Sequence, residues 1–241
     1  MSPDHFLASD DAARVSRVLQ KFARREFGCY SLTGSLAIEA HRMVFGSVPH
    51  VRPLNDIDLL VQSFSVIPTT LATDFLIRHI HPYAPTGKML IQLVDPREAL
   101  RIDIFRASGA TTDRSQSICF GTRPIQVASL EDLAARIGSV LMDLERGRVV
   151  ARKHVEDFRF LSQAANADRV ELAWQDHRKS TDPPAFREAL TRVRGLVESR
   201  KELVVDPEYS HDADATCPRC QETGPFRLAS ASTVMSILGY C

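Results

Sequence analysis

The segment Asp56-Ile57-Asp58-Leu59-Leu60-Val61 constrains the fold of this chain more than any other, because two carboxylates interrupt an otherwise apolar strand pattern. Side chains alternate between the two faces of a β-strand, so Asp56 and Asp58 are expected to share one face while Ile57 points into the core. Two neighbouring carboxylates repel each other unless a cation lies between them. The pattern therefore predicts a hard divalent cation such as Mg²⁺, which prefers oxygen ligands.

A third carboxylate, Asp103, lies in Arg101-Ile102-Asp103-Ile104, which is also predicted to be a strand. An unpaired charge between apolar neighbours is costly to bury, so Asp103 needs a partner. If its strand pairs beside the first, the three carboxylates converge. They could then hold two metal ions, one at an attacking hydroxyl group and one at the leaving phosphates. An isolated Asp-x-Asp pair on a strand is common, however, and usually marks a solvated edge or a calcium-like loop site.

The pair Gly34-Ser35 follows a short strand candidate at about residues 29–33 and opens a helix predicted at about 36–45. The free N–H groups and the dipole at the start of a helix attract anions, and glycine lets a phosphate approach the backbone closely. The hydroxyl group of Ser35 adds a further donor. The pair therefore predicts a phosphate-binding turn that grips a triphosphate from the side opposite the metal.

The hydrophobic patterns predict an α+β fold with three regions. Residues 1–128 are expected to form a small mixed β-sheet flanked by helices, residues 129–203 a helical region, and residues 204–241 a separate tail. The further elements predicted are helices at about 11–26, 68–81, 150–165, 168–178 and 184–200, a hairpin at about 88–94 and 100–106, and edge strands at about 118–120 and 123–127. Ser129 and Asp132 resemble a capping box at the start of the helical region.

The composition is that of an ordinary globular protein, with 44% apolar and 25% charged residues. Its 30 basic and 30 acidic residues cancel, which argues against a protein that simply coats nucleic acid. No apolar run reaches the roughly 20 residues of a membrane helix, and the first residues lack the pattern of a secretory signal. We therefore expect a cytoplasmic protein with no membrane partner.

Five cysteines are present, and the single, scattered positions of Cys29 and Cys119 argue against a disulfide framework. In the tail, Cys217-Pro218-Arg219-Cys220 supplies two thiolates from one tight turn, as in half of a zinc ribbon. Cys241 is the expected third zinc ligand and His211 a candidate fourth. A redox pair or two unligated thiols are the alternatives, although no thioredoxin-like pattern surrounds the motif.

Taken together and in order, these motifs resemble the nucleotidyltransferase superfamily that includes DNA polymerase β. Its hallmark is a strand, a Gly-Ser turn that opens a helix, Asp-x-Asp on the next strand, and then a third carboxylate. The basic residue of Arg52-Pro53-Leu54-Asn55-Asp56 is similar to that of AbiEii-type abortive-infection toxins and related bacterial enzymes. The resemblance covers about residues 28–165. The expected fold is thus a nucleotidyltransferase palm, followed by a helical region and a short zinc-ribbon-like tail.

The resemblance implies transfer of a nucleoside monophosphate from a triphosphate such as ATP to an acceptor hydroxyl group, with Mg²⁺ as cofactor. It assigns Asp56, Asp58 and Asp103 to the metal and to catalysis. Asp103 is also the candidate general base. Gly34 and Ser35 would bind the phosphates of the nucleotide.

The AbiEii-type enzymes also carry a Lys-Asp-x-x-Asp-like element on a later helix. Lys153-His154-Val155-Glu156-Asp157 matches it at the lysine and the last aspartate but departs from it at His154. Lys153 is thereby a candidate for binding the triphosphate, and the alternative is a surface ion pair with Asp157. Arg52 and Lys88 are weaker candidates for phosphate contact.

The acceptor stays open between RNA or tRNA, a protein and a small hydroxylated molecule. A toxin-type enzyme would also have an antitoxin partner. The competing hypothesis is a non-catalytic protein of the same fold that binds its partners through the zinc-like tail. The three clustered carboxylates argue against that alternative, because an inactive site has no physical reason to keep charges that repel each other.

Overall fold

The chain forms two compact units in the computed structural model. The first is drawn from residues 7–108 and 115–127, and the second from residues 109–114 and 128–206. The structure describes residues 7–48, 53–54, 56–80, 90–120, 123–178 and 185–206. Within these ranges, none of the helices combines the length and the apolar character needed to cross a membrane.

In the described part of the first unit, the strands form one seven-stranded mixed sheet. They are β1 (Ser31–Thr33), β2 (Asp56–Val61), β3 (Leu76–Ile80), β4 (Leu90–Asp95), β5 (Leu100–Arg106), β6 (Gln116–Phe120) and β7 (Arg123–Val127). Their order across the sheet is β3-β4-β5-β2-β1-β7-β6. The pairs β2–β5 and β1–β7 are parallel, and the other neighbours are antiparallel. The prediction of a mixed sheet is confirmed.

The central strands β2 and β5 alternate between core and sheet face as the sequence predicts. Ile57, Leu59, Ile102 and Ile104 are fully buried, which is how these strands are held in the core. Asp56 and Asp58 lie on the other face and are half-buried. The apolar residues thus fix the strands and leave the carboxylates together on one side.

Among the described residues, two α-helices accompany this sheet, α1 (Ser9–Arg24) and α2 (Gly34–Val44). The apolar side of α1 is fully buried at Val15, Val18 and Phe22. The same helix contacts the turn between β4 and β5, where Lys21 forms a buried ion pair with Asp95. The β4–β5 hairpin itself was predicted from its Asp-Pro turn and is confirmed by the antiparallel pairing.

The helix predicted at 68–81 is wrong. Thr69–Thr73 form a short 3-10 helix, and the next residues form β3, which pairs antiparallel with β4. The exposed edge of β4 offers backbone hydrogen bonds to this segment, and such tertiary pairing overrides a weak local preference. The prediction for 123–127 is also wrong in one respect, because β7 lies between β1 and β6, so that of the two predicted edge strands only β6 lies at an edge of the sheet.

The second unit is mainly helical. Its helices are α3 (Leu130–Leu141), α4 (Arg152–Ala164), α5 (Ala167–His177) and α6 (Phe186–Ser199). The aromatic rings of Phe158, Trp174 and Phe186 pack edge to face in its core. Ser129 caps α3 by accepting a hydrogen bond from the Asp132 N–H at 3.0 Å, which confirms the predicted helix start. A two-stranded parallel sheet of β8 (Val150–Ala151) and β9 (Val204–Val205) was not predicted.

Candidate functional site

Three carboxylates meet on one face of the first unit's sheet. The parallel pairing of β2 with β5 sets Asp58 directly beside Asp103 and Asp56 directly beside Arg101. Asp56, Asp58 and Asp103 each offer an oxygen atom, and these three atoms all lie within 4.8 Å of one another. Asp103 is 7% exposed, and its two companions are half-buried. Residues far apart in the chain therefore form one acidic cluster.

The spacing of the acidic cluster creates strong repulsion. Two like charges about 4 Å apart repel by about 4 kcal/mol at the effective dielectric constant of about 20 found near protein surfaces. Positive charge nearby relieves this repulsion, so a cation beside the cluster would stabilise it.

Arg101 supplies part of that positive charge, and the sequence analysis did not single it out. Its guanidinium group forms an ion pair with Asp56, and its Nε atom lies 3.2 Å from Asp103 Oδ1. Burial lowers the pKa of Arg101, but the carboxylates of Asp103, Asp56 and Asp58 raise it by more, so its pKa lies above the usual value. The side chain therefore stays charged.

Gln92 is a second residue that the sequence analysis missed. It lies on β4 opposite Asp103, and its Nε2 atom donates a hydrogen bond to Asp103 Oδ2 at 3.4 Å. The amide group of Gln92 therefore contacts Asp103 from the neighbouring strand β4, and Arg101 contacts it from the same strand, β5. These contacts orient its carboxylate on the sheet face.

The start of α2 adjoins the acidic cluster. Thr33, the last residue of β1, pairs with Asp58, and Gly34 begins the helix with a left-handed φ of 66°. A Cβ atom built on Gly34 would lie 1.9 Å from Asp58 Oδ2, so only glycine leaves room for that carboxylate. The N–H groups of the first turn, which include that of Ser35, are available to anions beside the carboxylates.

The donor set suits a divalent metal ion. Carboxylate oxygens are the ligands that Mg²⁺ and similar hard cations prefer, and the three oxygens are close enough to share such an ion. Three carboxylates and one guanidinium group leave two negative charges, which one divalent cation balances. Asp56, Asp58 and Asp103 are the residues that would hold it.

The other predicted site residues fall outside this cluster or outside the described residues. Lys153 is half-buried and Asp157 buried, one turn apart on α4 in the second unit. Cys29 and Cys119 are exposed. The residues that lie outside the described ranges are Arg52, Lys88, His211, Cys217, Cys220 and Cys241.

Several solved structures are similar to this chain. The solution structure of the antibiotic-resistance factor ANT(2'')-Ia is 14% identical over 78% of this chain and 97% of that one, with a TM-score of 0.48. A crystal structure of ANT(2'')-Ia with adenylyl-2''-tobramycin is 15% identical over 67% of this chain and 92% of that one, with a TM-score of 0.46.

An antigenic nucleotidyltransferase-like protein from Paracoccidioides brasiliensis is 12% identical over 86% of this chain and 96% of that one, with a TM-score of 0.40. No family model matches the sequence, and the search of curated proteins found no match. At these values the similarities are too distant to decide the activity, which has to be argued from the site.

Proposed function

We propose that this protein is a metal-dependent nucleotidyltransferase that moves a nucleoside monophosphate from a nucleoside triphosphate to an acceptor hydroxyl group. The observation that carries the proposal is the acidic cluster of Asp56, Asp58 and Asp103, whose oxygens lie within 4.8 Å of one another beside the start of α2. A cation site next to a phosphate-binding helix start is the combination that a metal–triphosphate complex needs.

The reaction forms a bond from the acceptor oxygen to the α-phosphorus and breaks the bond from that phosphorus to the oxygen bridging the β-phosphate. Pyrophosphate leaves with the electron pair of the broken bond. The bound Mg²⁺ would supply Lewis-acid stabilisation of the charge on the phosphates. Asp103 is the candidate base for the hydroxyl proton, because it is the most enclosed of the three carboxylates and is oriented by Arg101 and Gln92.

The start of α2 would hold the phosphates. Its backbone N–H groups and the hydroxyl group of Ser35 are donors, and Gly34 keeps side-chain atoms out of the space beside Asp58. Lys153, half-buried on α4, remains a proposed contact of the triphosphate that rests on the family resemblance alone.

The proposal is tested by nucleotide transfer from triphosphates labelled at the α-phosphate. The acceptor pools are total RNA, tRNA, protein and small hydroxylated molecules, including an aminoglycoside. We expect label transfer that depends on Mg²⁺ and is abolished by EDTA. Asp58→Asn should reduce it by about 1,000-fold, the scale on which loss of a transition-state electrostatic contact acts.

Asp10→Asn is the matched control, because Asp10 is an exposed acidic residue on α1 of the same unit. It should transfer label as the wild type does. Equal labelling by wild type and Asp58→Asn would contradict the proposed mechanism. If nucleotide with Mg²⁺ also fails to stabilise the wild type in a thermal-shift titration, the non-catalytic binding protein becomes the better hypothesis.

The finer assignments are parts of the same proposal. They are Mg²⁺ as the metal, ATP as the donor, a toxin-type role with an antitoxin partner, a zinc site in the tail, and a cytoplasmic location. The labelled acceptor identifies the substrate class directly, because only one of the four pools should carry most of the label.

A further inference from the structure

Arg101 lies between two of the carboxylates that the proposed function assigns to the metal. It forms an ion pair with Asp56, and its Nε atom lies 3.2 Å from Asp103 Oδ1. The Arg101 and Asp56 side chains are 31% and 25% exposed, whereas that of Asp103 is 9% exposed. The guanidinium group therefore bridges one accessible and one enclosed carboxylate.

The register of the sheet builds this bridge. Arg101 is two residues before Asp103 on β5, so both side chains project from the same face, and Asp56 is the residue paired with Arg101 on β2. The contact with Asp103 is an ion pair without the alignment of a hydrogen bond. Arg101 thus interacts with Asp103 chiefly through charge, which another cation can replace.

We infer that Arg101 is a positioning residue that holds the acidic cluster together before the metal ion binds and competes with that ion for its carboxylates. The inference rests on the proposed function for the nature of the site. Arg101 cancels one of three negative charges, so the metal-free cluster is stable enough to remain assembled. The same positive charge opposes the approach of a divalent cation.

Two consequences follow for a protein in which Arg101 is replaced by glutamine. Without metal, the three carboxylates repel each other fully, so the folded state is less stable than in the wild type. With metal, the ion meets a more negative site and displaces no guanidinium group, so it binds more tightly. A purely structural arginine would give the first effect without the second.

The experiment uses Mn²⁺ alone as the probe and the full-length chain. Free Mn²⁺ is measured by electron paramagnetic resonance in titrations of wild type and Arg101→Gln, and the melting temperature of each is measured in EDTA and in saturating Mn²⁺. We expect Arg101→Gln to have a lower melting temperature than the wild type in EDTA and a larger increase in melting temperature when Mn²⁺ is added. It should also bind Mn²⁺ about tenfold more tightly, because one repelling charge has gone.

Arg106→Gln is the matched control, because Arg106 is an exposed arginine at the end of the same strand. It should bind Mn²⁺ as the wild type does. Arg101→Lys keeps the charge but lacks the planar fork that bridges two carboxylates, so its Mn²⁺ affinity should lie between those of wild type and Arg101→Gln. If Arg101→Gln does not fold without metal, the Mn²⁺ affinity and melting temperature of Arg101→Lys are compared with those of the wild type instead.

An unchanged or weaker Mn²⁺ affinity in both Arg101 variants, with normal binding by the wild type, overturns the inference and leaves the metal site standing. Failure of the wild type itself to bind Mn²⁺ overturns the inference alone, because the triphosphate supplies further metal ligands in the proposed reaction. The proposed function is overturned separately, by the labelled-triphosphate assay, so the two failures are distinguishable.

Discussion

Gly34 occupies a position where both the backbone and the surrounding space favour glycine. Its φ of 66° is left-handed, and the place of its missing Cβ is 1.9 Å from Asp58 Oδ2. Gly46, at the other end of α2, has a similar φ of 67° but no atom within 4 Å of a built Cβ. Comparing substitutions at Gly34 and Gly46 therefore separates the cost of a left-handed backbone from the effect of a methyl group on the acidic cluster.

We predict that Gly34→Ala and Gly46→Ala each destabilise the fold by about 1–2 kcal/mol, the strain of a left-handed L-residue. Only Gly34→Ala should reduce nucleotide transfer, by about 100-fold, because the new methyl group forces the Asp58 carboxylate away. Urea unfolding gives the stabilities, and the labelled-triphosphate assay gives the activities. Equal nucleotide transfer by the two variants would show that transfer does not depend on the position of the Asp58 carboxylate.

The sequence predicted the acidic residues of this site but not the groups that orient them. Asp56, Asp58 and Asp103 are recognisable because carboxylates within apolar strands need an explanation. Arg101 could have been found by the same alternation rule, since it lies two residues before Asp103 on one strand. Gln92 could not, because its contact depends on which strand pairs beside β5 and in which register.

A polar cluster centred on the buried Asp132 connects the segment 109–114 to the helices α3 and α5 of the second unit. Arg114 donates to both oxygens of Asp132, at 2.9 Å and 2.6 Å, and its Nη2 atom also lies 2.6 Å from Asp176 Oδ2. His177 Nε2 is 3.0 Å from the Asp132 carboxylate. One aspartate at the start of α3 thus binds an irregular segment and the end of α5 together.

This cluster gives the protein a defined loss of stability in acid. Burial raises the pKa of Asp132, but hydrogen bonds from His177, Arg114 and Ser129 outweigh it and lower the pKa to about 2, against 3.8 for the free group. Because the folded pKa is the lower one, the stabilisation is present above about pH 4 and disappears as the pH falls to about 2. Its size is about 2 kcal/mol.

We predict that wild type loses about 2 kcal/mol more unfolding free energy between pH 5 and pH 2 than Asp132→Asn does. Urea unfolding at a series of pH values measures the difference. Asp113→Asn, which changes an exposed acidic residue of the same segment, should follow the wild-type curve. Parallel curves for wild type and Asp132→Asn would show that this carboxylate is not held in its ionised form.

The elements that the sequence predicted well are those with a strong local signal. The Asp-Pro turn between β4 and β5 and the Ser129 cap of α3 are both found where the sequence placed them. The segment 68–81 lacks such a signal, and Leu76–Ile80 form a strand because they pair with β4, the next strand along the chain. Which strand edge a segment pairs with is information that its own local pattern does not contain.

The whole chain carries 30 basic and 30 acidic residues, so it has no net charge to attract a polyanion. A protein that makes 6–10 phosphate contacts loses about 10³–10⁵ in affinity for nucleic acid between 50 mM and 200 mM salt. We predict that this chain's affinity for generic single-stranded RNA falls less than about tenfold over that range. Fluorescence anisotropy with a labelled RNA measures it.

The useful comparison in that experiment is a strongly basic RNA-binding protein under identical buffers. A steep fall for this chain would reveal a concentrated basic surface and would favour RNA as the acceptor. A shallow one would direct the search for acceptors toward proteins and small molecules first.

Asp56 and Arg101 are 45 residues apart in the chain and are neighbours only through the parallel pairing of β2 with β5. Parallel strands cannot be joined by a tight turn, so this contact forms late relative to local hairpins. A growing or half-folded polypeptide would therefore lack the assembled set of three carboxylates that is proposed to bind a divalent ion. The proposed chemistry becomes available only when this long-range strand pairing is in place, which would tie the appearance of activity to the folding of the first unit's sheet.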